Sequence, residues 1–340
     1  MINNLLKLLS ITLLLGLFIF SQDGFAQLTG TKTIPGDYAT IAAAVVDLNT
    51  QGVGAGGVTF NVAAGYTEST TASITITATG TVGNVIVFQK NGAGANPLVT
   101  RTDAGILATS TLGGEGDAIF RIEGSDYITF DGIDVTASDQ GIEYGYLTFK
   151  PDGTNGCQFV TIKNSVVTMT KGTSGYVVGI YIGNGTTSVS TATGVTVTAT
   201  SGINSDITIT GNTIQNVHAG IVSRGSSAAG FSDNNVIIGQ SGAGNIIQNF
   251  GGGNVSTTYA VYFIYVSNPS VAYNTINNEG GGGVAHGSTL YGIFYSTGVT
   301  GNIVGSNNSF TLSNIAASST TQYIYSSNLA TSNSFSYNTF

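Results

Sequence analysis

Cysteine is almost missing from this chain: Cys157 is the single one, so no disulfide can close within it. Tryptophan is absent, which removes the largest ring available for stacking on a flat ligand. Charge is scarce as well, at 8% of residues, and the basic share is the smaller, with 9 Lys and Arg against 17 Asp and Glu. The net charge is −8 and no basic stripe runs anywhere, which excludes a nucleic-acid partner. The same charge disfavours an anionic polysaccharide unless a divalent cation bridges the two. Low charge with 41% apolar residues is the opposite of a disordered composition. Beyond residue 26 no apolar run is long enough to cross a bilayer, so no membrane contact is expected once that segment is removed.

Glycine is abundant, at 49 of 340 residues, but without the strict triplet of collagen. It falls at the corners of a repeat that fills Ile119 to Phe340. The corners read Ile-Thr-Phe-Asp-Gly-Ile at 128–133, Val-Thr-Ile-Lys-Asn-Ser at 160–165 and Ile-Thr-Ile-Thr-Gly-Asn-Thr-Ile at 207–214. They continue as Val-Ala-Tyr-Asn-Thr-Ile at 271–276, Val-Thr-Gly-Asn-Ile-Val at 299–304 and Phe-Ser-Tyr-Asn-Thr-Phe at 335–340. Apolar strands recur alongside the corners: Ile119 to Ile122, Leu147 to Phe149, Ile180 to Ile182, Ile221 to Ser223, Phe263 to Val266, Ile293 to Tyr295 and Ile324 to Ser326.

A strand-rich repeat of this length is a solenoid or a blade array. Each repeat offers only two or three short strands and no blade signature, which predicts stacked parallel coils. Every strand then lies about 4.8 Å from its copy in the next coil. Tight corners suit Gly and Asn, the residues that enter left-handed backbone most readily. Gly132, Asn164, Gly211, Asn274, Asn302 and Asn338 are therefore read as one corner position, whose amides form a ladder between coils. Because the chain ends inside a repeat, the natural protein is expected to continue beyond Phe340.

At the other end, residues 1–26 read as an export signal. Lys7 supplies the positive start, Leu8 to Phe20 the apolar stretch, and Gly24-Phe25-Ala26 the small residues before a cut. This predicts a secreted or cell-surface protein. Residues 27–68 form a cap and first strand, and 69–340 the coils. Within the cap, Asp37 is expected to start a helix whose apolar stripe is Tyr38, Ile41, Val45 and Leu48, and Gly52 to end it. Val-Thr-Phe-Asn-Val at 58–62 follows as a strand.

Residues 35–49, Pro-Gly-Asp-Tyr-Ala-Thr-Ile-Ala-Ala-Ala-Val-Val-Asp-Leu-Asn, resemble the opening of pectate-lyase-like right-handed parallel β-helix proteins, as do residues 56–68, Gly-Gly-Val-Thr-Phe-Asn-Val-Ala-Ala-Gly-Tyr-Thr-Glu. In that superfamily such a helix plugs the first coil. The stretch also resembles exported surface proteins of Bacteroidetes-type bacteria. The resemblance implies an all-β, right-handed parallel β-helix with an N-terminal capping helix. It implies either a polysaccharide lyase or glycoside hydrolase, or a non-catalytic scaffold for adhesion to glycans.

Half of the sixteen carboxylates after residue 26 fall between Glu115 and Glu143. Glu123, Asp126, Asp131 and Asp134 are candidate Ca²⁺ ligands, since hard cations take six to eight oxygens. In pectate lyases a metal and a basic residue together acidify a sugar proton; Arg121 and Lys150 are the nearby bases here. The plainer reading makes Asp131 a turn residue beside Gly132 and pairs Glu123 with Arg121 on one strand face. His218 follows a corner and is a third catalytic candidate, without an adjacent nucleophile. These positions do not assemble an acid–base set, so a scaffold that contacts carbohydrate is the leading expectation. Tyr265, Tyr295 and Tyr325, spaced 30 apart, are the candidate glycan-stacking row. Strict alternation leaves open whether that row or the Ile264, Phe294, Ile324 row faces outward; packing habits favour the tyrosines as core.

Overall fold

The structure, a computed structural model, describes residues 27–106, 117–173, 175–186, 194–252, 255–316, 319–327 and 332–340. The proposed export segment and Glu115 lie outside them. The chain winds as a right-handed parallel β-helix with three sheets along its length, of 11, 8 and 8 strands.

Sheet 1 starts with Leu28–Ile34 and Val53–Ala63, runs through Ile128–Asp131, Ser205–Thr210 and Asp233–Ile238, and reaches Ser332–Ser334. Sheet 2 runs from Thr67–Thr70 to Ser309–Thr311, and sheet 3 from Ile74–Ile76 to Thr321–Ser326. All sheet pairings are parallel, and like residues sit on like. Phe60, Phe88 and Phe130 stack in successive coils with ring centroids 4.6 and 5.4 Å apart. Inside, Val, Ile and Phe from all three sheets form one continuous core. Pleated, half-buried surfaces favour these side chains.

A helix, Ile41–Gln51, closes the first coil with Ile41, Ala44, Val45 and Leu48 buried. Its N-cap is Thr40, which accepts from Ala43 N; Asp37 instead accepts from the backbone N and hydroxyl of Thr33. The expected helix start at Asp37 is thus corrected by three residues, and Tyr38 lies outside the helix. The free N–H groups of Ile41 and Ala42 are met by the Glu68 carboxylate at 2.7 and 3.0 Å. The positive end of the helix and these two bonds both stabilise the carboxylate. Gly52 ends the helix at φ 71, donating to Leu48 O. The strand Leu28–Ile34, which pairs with Val53–Ala63, has no forerunner in the sequence reading.

The corner between sheets 1 and 2 uses two positions rather than one. Gly132, Asn164 and Gly211 hold φ between 57 and 69, and Tyr273, Asn307 and Tyr337 take the same left-handed role at 57 to 64. The residue after Gly211, Tyr273, Asn307 and Tyr337 is a ladder rung. Asn212, Asn245, Asn274, Asn308 and Asn338 form the ladder: each of the first four donates Nδ2–H to Oδ1 of the next at 2.9–3.2 Å. Of the residues expected to share one position, Asn274 and Asn338 are rungs, whereas Asn302 begins a sheet 1 strand, Asn302–Ser306.

Candidate functional site

On the outer face of sheet 3 the chain departs from simple alternation. In Thr257–Ile264, Ala260 and Val261 are both buried, so Tyr259 and Tyr262 both turn outward. In Thr289–Tyr295, Gly292 and Ile293 are both buried between outward Tyr291 and Phe294. The same inward position is Gly179 and Gly220 in earlier coils, where an added Cβ would lie 2.3 and 2.5 Å from the side chains of Ile214 and Ile247 on sheet 2. Close approach of the two sheets therefore demands a small residue there, and the strand bends around it.

The register places Tyr259 on Tyr291, and Tyr262 on Phe294 on Tyr325. Five partly exposed rings result, joined into one contiguous cluster in which Phe294 touches the other four. Centroids are 4.5 Å apart for Tyr259–Tyr262, 4.7 Å for Tyr291–Phe294, 5.3 Å for Tyr262–Phe294 and 5.0 Å for Phe294–Tyr325. Burial pushes the Tyr259 and Tyr291 hydroxyls up. Toward the N-terminus the face continues as Tyr181, Val222, Leu147 and Tyr144, all buried. Arg224 lies beside the Tyr181 hydroxyl.

The expected row of Tyr265, Tyr295 and Tyr325 does not form. Coils step by 32 residues from Phe263 to Tyr295 and by 31 from Phe294 to Tyr325, not by 30. Tyr295 points into the core, stacked on Phe263, with its hydroxyl donating to Val304 O at 2.7 Å. Tyr265 sits at a corner with φ 54, its ring against Gly298. Only Tyr325 belongs to the platform, and Phe294, assigned to the opposite row, lies at its centre.

The acidic candidates do not converge. Glu123 pairs with Arg121 at 2.7 Å. Asp126 accepts from Gln158 N at 2.8 Å. Asp131 accepts from Asn164 Nδ2 and pairs with Lys163 at 3.0 Å. Asp134 accepts from Asn96 Nδ2 and Val166 N at 2.8 and 2.7 Å. Glu123 pairs within its own strand, the other three carboxylates tie down neighbouring coils, and among the described residues no three His, Cys, Asp or Glu gather as metal ligands. That corrects the proposed Ca²⁺ set: the residues are near in sequence but are spread over sheets 1, 2 and 3.

Lys150 is not in a groove. It is fully buried and paired with Asp233 at 3.0 Å. Asn204 supports that carboxylate, donating N–H to Oδ1 and Nδ2–H to Oδ2, both at 2.9 Å.

His218 is buried too. Nδ1 accepts from Val177 N at 3.0 Å and Nε2 faces Gly172 O at 3.2 Å, so the neutral tautomer with Nε2–H satisfies both. Desolvation pulls its pKa down to about 4. A neutral ring fitted in this way is a strut rather than a reactive group. Lys171, missed by the sequence reading, lies close by. Its ammonium donates to Asn249 O, Asn249 Oδ1 and Gly251 O at 3.0, 2.8 and 2.8 Å, and desolvation draws its pKa down to about 8. Tyr176 links this corner to the outer face, 5.7 Å from the His218 ring.

The depressed His218 value sets an acid limit on stability. Its folded pKa, about 4, lies below the ordinary 6.5, so its contribution is complete above about pH 6.5 and is lost as pH falls toward 4. About 2–3 kcal/mol is expected to disappear over that window. His218→Gln can keep both hydrogen bonds without titrating. Urea midpoints measured from pH 7 to 4 should fall for the parent and stay flatter for the variant; parallel curves would refute the assignment.

No family model matches the chain, and no curated protein does. Among solved structures it is similar to an alginate lyase from a Paenibacillus species, at 13% identity and TM-score 0.43 over 91% of this chain and 99% of that one. It is similar to a lacto-N-biosidase from Eubacterium ramulus, at 11% identity and TM-score 0.45, covering 86% of this chain and 64% of the other. It is also similar to the surface adhesin PfbA of Streptococcus pneumoniae, at 14% identity and TM-score 0.25 over 86% and 90% of the two chains.

Proposed function

We propose that this chain is an exported β-helix of the pectate-lyase-like kind that contacts carbohydrate at a cell surface without cleaving it. The observation that carries the reading is the five-ring platform on sheet 3. Sugar rings present an apolar C–H face edged by hydroxyls. Tyrosine offers the matching pair, an apolar ring with a wet hydroxyl. An exposed cluster of aromatics in contact is otherwise unfavourable on a soluble surface, and such patches mark sites of interaction. The export segment, with Lys7 ahead of Leu8 to Phe20, supports a location outside the cell.

The second reading, a polysaccharide lyase or hydrolase, has one observation in its favour. Lys171, with a pKa near 8, has the proton affinity of a general base. Its three N–H groups are all engaged by carbonyl oxygens in the resting structure, which supports a structural role first.

Glycan-array binding run beside lyase and reducing-sugar assays, with and without Ca²⁺, separates the two. Binding without cleavage is expected. Tyr262→Ala combined with Phe294→Ala should weaken it at least about tenfold, because central aromatic anchors carry most of an interface's energy. Cleavage that vanishes in Lys171→Met, or binding indifferent to the double variant, would overturn the reading.

A further inference from the structure

Sheet 1 carries a chemically different depression of about 430 Å³ on its outer face, on a different sheet from the platform rings. Its floor is one column of side chains. Ile237, Ser270 and Val304 lie in register on three successive strands. Its rim is made of amides. Asn268 donates Nδ2–H to Asn234 Oδ1 and accepts from Asn302 N, both at 2.8 Å, while Asn235 donates Nδ2–H to Asp206 Oδ1 at 2.6 Å.

We infer that this depression is a binding site for a short neutral oligosaccharide. Two apolar side chains with a small hydroxyl residue between them give a sugar's C–H face something to rest on. The amides around them both donate and accept, which is what alternating sugar hydroxyls require. Three strands at about 4.8 Å spacing span about 10 Å, the reach of a disaccharide laid along the helix axis. The charge argument selects neutral ligands. None of the seven lining residues is charged. The nearest carboxylate in the network, Asp206, is held by Asn235 and repels an anion. Mostly apolar floors with a few placed polar groups are the usual form of small-molecule sites. The site is separate from the platform, so the two stand or fall independently.

The full chain, labelled with ¹⁵N and with ¹³C in its aromatic rings, is titrated with cellobiose, laminaribiose, mannobiose, N,N′-diacetylchitobiose and digalacturonate. At least one neutral disaccharide should move the side-chain amide signals of Asn268 and Asn302 and saturate them. Ser270→Arg, on the outer face, fills the floor without touching the core; it should weaken that response at least tenfold while the melting temperature stays put. The inference is overturned if no neutral disaccharide moves those amides, if digalacturonate alone does, or if the response survives Ser270→Arg. Platform tyrosine signals report the other site in the same titration, so failure at one is distinguishable from failure at the other.

Discussion

Asp233→Ala is expected to lower stability by about 3–5 kcal/mol, whereas Asp131→Ala should change it by less than about 1 kcal/mol. Both residues accept a lysine ammonium at 3.0 Å. Distance therefore cannot separate them; burial does. Lys150 and Asp233 are each 0% exposed, and Lys163 and Asp131 are 37% and 29% exposed. In the exposed pair water replaces whatever is lost. In the buried pair, removing the carboxylate strands an ammonium in the core and frees Asn204 N and Nδ2 of their acceptor. Asn204 in turn accepts from Cys157 N and donates to Gly183 O, so damage spreads over coils joined by these bonds. Lys150→Met with Asp233→Asn removes both charges together, and buried pairs replaced in this way are often neutral in stability. The double variant should then be more stable than Asp233→Ala. Urea midpoints for the three proteins decide the matter. A midpoint for Asp233→Ala equal to that of Asp131→Ala would mean that the interior pair is solvated and the account of Lys150 is wrong.

Architecture was legible because stacking forces repetition. Corners such as 207–214 and 271–276 announce themselves by Gly and Asn, and the solenoid follows from them. The face of each strand was less legible, for a definite reason. Alternation assumes one residue in, one residue out. Ala260–Val261 and Gly292–Ile293 place two consecutive residues inward, so the outward partners are three apart, and a period-2 reading set Phe294 and Tyr325 on opposite faces although they stack on one. A signal was available: Gly179, Gly220 and Gly292 recur just before an inward Ile. The spacing of 30 between tyrosines misled in a similar way, because coil lengths vary with the corner loops and only hydrogen-bonded register fixes which residues stack. Partners from distant coils were not legible at all. Lys150 and Asp233 are 83 residues apart, and no local pattern joins them.

Asn274→Ala should be comparably severe, at about 3–5 kcal/mol, from a side chain that carries no charge. The rung is fully used. Oδ1 accepts from Asn245 N and Asn245 Nδ2, both at 2.9 Å, and Nδ2 donates to Ile238 O and Asn308 Oδ1 at 2.9 and 3.0 Å. It is 1% exposed, as are Asn245 and Asn308, so water cannot stand in. Alanine leaves two buried donors on Asn245 without an acceptor, and each such group costs about 1–3 kcal/mol. The chain itself contains a milder case. At the start of the ladder Ser165 occupies a rung, accepting from Ile133 N through Oγ and donating its backbone N–H to Asn212 Oδ1. A hydroxyl can accept at this position but offers one donor where the amide offers two, so Asn274→Ser should fall between the parent and Asn274→Ala. Aspartate keeps the acceptor oxygen but turns the donor edge into a second one facing Ile238 O and Asn308 Oδ1, and at neutral pH Asn274→Asp should be at least as damaging as alanine. Hydrogen exchange gives the local readout: protection should drop at the Asn245 amide and at neighbouring rungs before it changes at the Ile41–Gln51 cap. Uniform loss along the whole solenoid, or none at Asn245, would show that the ladder is a consequence of the stacking and not one of its supports.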